Sequence, residues 1–158
     1  MALAGDKYPL YQAAEDARVA ERRAKDYSGK NAIAFLGQTV DWDTFARVAE
    51  WAEKMCLMLQ KKELPKSLLR TLTLLQQQRD TVAQKRAAEG LDRTPPNEPQ
   101  PCYGPWLPHA AYALSRMQKR HSSARDELQA LKETLRPENP AAISWIGLAA
   151  RWADLLER

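Results

Sequence analysis

The sequence predicts an all-α fold, a single-domain bundle of about five helices. Apolar residues recur at spacings of three and four through most of the chain, the period of a helix buried along one face. No segment combines strand alternation with turn signals. At 158 residues with 44% hydrophobic and 28% charged side chains, the chain is long enough to close a core without disulfide or metal support.

The first helix is expected over 10–27. Pro9 suits its first turn, Ser28-Gly29 ends it, and Leu10, Ala13, Ala17, Ala20, Ala24 and Tyr27 form a seam of mostly small residues. A short apolar segment, Ala32 to Leu36, is closed by Gly37. The second helix, over 42–62, begins after Asp41, whose carboxylate can accept the otherwise unpaired first amides. Phe45, Val48, Ala52, Met55 and Leu59 make its seam, with Trp42, Trp51 and Cys56 alongside.

Pro65 starts a third helix over 66–89, with Gly90 as its stop. Leu68, Leu69, Leu72 and Leu75 make its first half strongly apolar, and its second half is thinner and rich in Gln and Arg. Six of the ten prolines then fall between Pro95 and Pro108. Missing amide donors and restricted backbone angles exclude a helix there, so 91–108 reads as a Pro-rich loop between a front of three helices (1–90) and a back hairpin (109–158). The fourth helix, over 109–135, carries Leu114, Met117, His121, Ala124, Leu128, Leu131 and Leu135 in an unbroken alternation of three and four. Asn139-Pro140 opens a fifth over 140–157, with Ala142, Trp145, Ile146, Ala149, Trp152, Ala153 and Leu156 facing inward.

The chemistry-bearing residues are sparse. His109 and His121 are the only histidines, and neither has an acidic residue at the helical spacings of a metal site. His121 falls on the fourth seam and reads as a partly buried histidine. Cys56 and Cys102 lack the spacing of a zinc or redox motif. The close carboxylates (Asp41 with Asp43, Glu50 with Glu53, Asp126 with Glu127) sit at helix starts or on exposed faces, where capping and solvation account for them. No glycine-rich phosphate loop is present. The sequence therefore predicts no enzyme, no catalytic residues, no metal and no cofactor. The absence of a leader pattern and of a long apolar run predicts a cytoplasmic protein without a membrane span.

Charge is the remaining signal. The formal net charge is +4, but it is uneven: −2 over residues 1–53, +5 over 54–93 and +1 over 94–158. Lys61, Lys62, Lys66 and Arg70 bracket the start of the third helix and Arg79 follows along it. Arg116, Lys119, Arg120 and Arg125 fall in a stretch of the fourth without an acid. Such a surface predicts non-specific contacts to the phosphate backbone of DNA or RNA, as in an accessory protein of a nucleic-acid-processing assembly. A base-reading module is not expected. Ile33, Leu36, Gly37 and Val40 echo a helix-turn-helix, but Asp43 stands where its second helix should bury an aliphatic residue.

The alternative is a protein–protein adaptor or inhibitor, with Tyr103 and Trp106 of the Pro-rich segment as anchors beside a helical groove. Self-association through the seam of the fourth helix fits either class.

Overall fold

The computed structural model describes residues 8–90, 104–136, 139 and 141–157. The fold is predominantly α-helical. Among the described residues six α-helices run in the order α1 (Leu10–Lys25), α2 (Trp42–Gln60), α3 (Ser67–Ala88), α4 (Trp106–Arg120), α5 (Arg125–Thr134) and α6 (Ala142–Leu156). Among the described residues the departure from the expected class is one antiparallel hairpin, β1 (Ala32–Phe35) with β2 (Gln38–Asp41). The chain divides into two compact units, Met1–Glu50 and Trp51–Arg158.

In the first unit the hairpin pairs Ala32 with Asp41, Ile33 with Val40, Ala34 with Thr39 and Phe35 with Gln38. Its two-residue turn holds Leu36 at φ 47° and Gly37 at φ 79°. Both values are left-handed, as the tight turns that match strand twist require. The segment that echoes a helix-turn-helix is thus a β-hairpin, with Gly37 placed by the turn. Phe35 and Val40 are buried, and Phe35 meets Phe45 edge-on at 5.6 Å. Trp42, expected on an apolar face, is half exposed and keeps one edge contact, to Phe45 at 5.8 Å. Helix α1 lies against β1 but buries nothing completely. Its alanines offer too little area, and the two large side chains of the expected seam, Leu10 and Tyr27, are 85% and 38% exposed.

Asp41 starts α2 as expected. Its carboxylate accepts the Thr44 amide and the Thr44 hydroxyl, each at 2.8 Å. Burial alone would raise the pKa of Asp41, but these hydrogen bonds, with the backbone amides of Asp41 and Asp43, outweigh it and hold the carboxyl below its ordinary value.

In the second unit the later turns of α2 bury Ala52, Met55, Cys56, Met58 and Leu59. Beyond its last turn Lys62 stands at φ 58°, where the Lys62 amide donates to the Leu59 carbonyl and the Glu63 amide to that of Met58. This is the paired closure that favours a left-handed residue after a helix.

Helix α6 forms the centre of the unit, with Ala142, Ile143, Trp145 to Ala150 and Ala153 all buried. A helix apolar nearly all round belongs inside, although Leu156, expected inward, is 54% exposed. Helices α3 and α6 pack closely together. Lys66 near the start of α3 meets Glu157 just beyond α6, and the Gln76 side chain donates to the Ser144 carbonyl near its start, so the two run antiparallel. The buried leucines of α3 (Leu68, Leu69, Leu72, Leu75) are those expected.

The expected helix over 109–135 is two. His121 leaves the helical region at φ −122°, ψ 80°, Ser122–Ala124 form a 3-10 turn, and α5 folds back on α4. Two serines after a histidine hold a helix poorly. The turn lets Leu114 on one arm and Leu128, Leu131 and Leu135 on the other enter the core together. Gln118 donates to Gln129 at 3.0 Å and Lys132 to the Ser115 hydroxyl at 3.0 Å, holding the hairpin. The regular seam is therefore used within the chain rather than offered to a second copy.

Residues 91–103, with Cys102 and Tyr103, lie outside the described residues, as do Pro137, Pro140 and Arg158. Trp106 does not belong to a loop. It opens α4 and is 2% exposed. A buried indole cannot anchor a partner, so Trp106 is a core residue and not a contact site.

Candidate nucleic-acid interface

The expected basic residues fall into three groups. At the α2–α3 corner Lys61, Lys62 and Arg70 are exposed, and among the described residues none pairs with a carboxylate. Lys66 is also exposed, but its ammonium lies 2.5 Å from Glu157 and much of its charge is answered there. At the α4–α5 turn Arg116, Lys119, Arg120 and Arg125 are all exposed and likewise unpaired among the described residues. Arg116, Lys119 and Arg120 share a helix face at spacings of three and four. The backbone carbonyl of Arg125 accepts from Gln118 at 3.4 Å, which brings the start of α5 beside them.

Arg79 forms the third group and is a correction. Its side chain is 20% exposed, its Nη1 lies 3.1 Å from Asp80 Oδ1, and its Nε is buried without a partner. The reason is register. Leu72, Leu75 and Gln76 define the buried stripe of α3, and position 79 continues it at helical spacing. Arg79 thus lies mostly in the packing of α3, with its charge answered by Asp80.

Helix direction relates the two exposed groups. His109 Nδ1 is 3.3 Å from Gln78 Oε1. One turn earlier, a Cβ built on Gly104 would lie 3.5 Å from Val82 Cγ2. Helix α4 therefore runs against α3, and its last turns, with Arg116 to Arg120, head towards the end of the pair where Lys66 and Arg70 begin α3. Helix α4 contains no acidic residue in its sequence WLPHAAYALSRMQKR. The cations of both corners so face solvent at one end of the unit, and at low ionic strength their fields add there.

Two polar residues of the packed interior were not singled out from the sequence. Gln76 is 3% exposed and lies against Gly147, with its amide on the Ser144 carbonyl. Arg151 of α6 is half-buried with its Nε unpartnered; burial pulls its pKa down, and the Asp80 carboxylate opposes this. The signal for Gln76 is its place at i+4 from the seam residue Leu72; Arg151 lies at i+4 from Gly147, which the expected seam does not include. A run of three glutamines hides the first, and the polarity of the side chain hides the second.

Among the described residues no group of three His, Cys, Asp or Glu side chains is placed to hold a metal ion. No helix is long and apolar enough to cross a membrane, again among the described residues. Compared with protein families, with curated proteins and with solved structures, the chain matches none of them.

Proposed function

We propose that this protein is a non-catalytic accessory factor that binds the phosphate backbone of nucleic acid through the two basic corners of its second unit. The observation that carries this reading is the set of seven exposed cations, Lys61, Lys62, Arg70, Arg116, Lys119, Arg120 and Arg125, without a carboxylate partner among the described residues. Charged surfaces commonly interleave both signs and form ion pairs. Helix α1 does so, with Arg18 on Glu15 and Lys25 on Glu21. At the two corners only Lys66 of the expected cations makes such a pair among the described residues, although Glu63 and the exposed Asp126 and Glu127 adjoin them in sequence. The adaptor reading loses Trp106 to the core, and Tyr103 lies outside the described residues.

The test is the salt dependence of binding to a mixed-sequence duplex. Replacing Lys62 by Gly and Arg70, Arg116 and Arg120 by Gln removes four cations without cutting into the core. Lys62→Gly suits the left-handed backbone at that position. Each lost phosphate contact lowers the slope of log K against log salt by about 0.9, so the quadruple variant should lose up to about 3.6 units of slope. Absence of wild-type binding to both the duplex and a single strand of equal length at low salt, or a slope unchanged in the variant, would sink the proposal.

A further inference from the structure

We infer that the nucleic acid recognised at this surface is single-stranded, and that Tyr112 stacks on one of its bases. The inference rests on the backbone-binding reading and names its substrate class. Tyr112 is 68% exposed in the middle of α4. Among the described residues its ring enters no aromatic pair and its hydroxyl no hydrogen bond. The core gains nothing from it.

Its neighbours on the helix surface are specific. Arg116 stands one turn ahead, Lys119 and Arg120 two turns ahead, and His109 one turn behind, all exposed. At 1.5 Å rise per residue, Tyr112 is about 6 Å along the axis from Arg116 and about 12 Å from Arg120. His109 is held by the Gln78 side chain at 3.3 Å. The row so runs imidazole, phenol, guanidinium, then two further cations, with no carboxylate anywhere on the helix.

Exposure alone does not make this argument. Tyr11 is 73% exposed on α1, but Glu15 follows it one turn later and Asp16 beside that, where a phosphate would be repelled. Tyr112 alone of the two lies among cations. An aromatic face with adjacent cations is the arrangement that holds an unpaired strand, since the ring takes a base and the cations take the backbone on either side. In a duplex the base faces are already stacked on one another, so the same ring would have nothing to receive.

The experiment compares fluorescence anisotropy of a labelled oligothymidylate strand and a labelled mixed-sequence duplex of equal length, using wild type, Tyr112→Ala and Tyr112→Phe. Tyr112→Ala should weaken strand binding about five- to hundred-fold while duplex binding changes less than about two-fold. Tyr112→Phe, which keeps the ring, should retain strand affinity. Circular dichroism will confirm folding, which an exposed side chain does not govern. If Tyr112→Ala leaves strand binding unchanged, or weakens strand and duplex equally, the stacking role is overturned while the backbone reading stands. If the wild type binds neither probe, both fall.

Discussion

Replacing Gly147 by Ala tests the tightest packing in the second unit. A helix interior ordinarily gains about 1 kcal/mol from that change. Here the new methyl would overlap the Gln76 amide oxygen and lie 3.0 Å from Gln76 Cβ and 3.1 Å from its Cδ. The amide end can swing away, but Cβ is tied to the α3 backbone and cannot. Swinging the amide also breaks its bond to the Ser144 carbonyl at a site only 3% exposed. An unsatisfied buried amide costs about 1–3 kcal/mol, and overpacking a close helix pair costs about 1–3 kcal/mol more. Against the propensity gain, the net destabilisation is about 3 kcal/mol.

Urea unfolding followed by circular dichroism reads this as a midpoint lowered by about 1–2 M at unchanged slope. The companion variant Gln76→Ala makes room for the methyl. The double substitution should therefore be more stable than the sum of the singles implies, by about 1–3 kcal/mol. A neutral or stabilised Gly147→Ala, or strict additivity of the two, would refute the account of this contact.

Two further outcomes follow from the first unit. Asp41→Ala removes the cap of α2 and should cost about 1 kcal/mol at neutral pH. Because the folded carboxyl is held below its unfolded value, this stabilisation is complete above the ordinary pKa of 3.8 and is lost as pH falls through the depressed folded value. Unfolding midpoints of wild type and variant should converge in acid, and a gap that stays constant from pH 7 to about pH 2 would contradict the assignment. Leu36→Asn relieves a bulky residue from a left-handed turn position, with an expected gain of about 0.5–1 kcal/mol, or about 1–4 °C in Tm; a lowered Tm would show that the half-buried Leu36 contributes more by packing than its backbone costs.

How much of this was legible differs by element, for physical reasons. Helices α2 and α3 are bounded by strong local signals, the Asp41 carboxylate at one start and Pro65 and Gly90 around the other, and local chemistry settles them. The hairpin was hidden because Leu36 occupies a position where Asn, Asp or Gly usually advertises the turn, and because strands of four residues are too short to display a period. The break at His121 was hidden for the opposite reason. The apolar spacing continues across it without a fault, since a helix folded back on itself needs the same inward residues on both arms as a straight one packing on a neighbour. Trp106 could not be placed locally, because its burial depends on contacts distant in sequence. Of the basic residues, exposure followed for those off the seam, and Arg79 failed because its long side chain continues the seam of Leu72 and Leu75.

That failure changes the meaning of the charge count. The +5 over residues 54–93 overstates the field that a ligand meets there, since Lys66 faces Glu157 and Arg79 is drawn into the α3 packing beside Asp80. Helix α4 and the turn after it belong to a segment with a net charge of only +1, yet they present four exposed cations without a described partner. Segment totals weigh charges equally, whereas a polyanion responds to those that are exposed, unpaired and on one face. By that measure the centre of the basic surface moves from the third helix, where the sequence puts most charge, to α4. Substitutions on α4 should therefore weaken binding more per charge than those at Lys66 or Arg79.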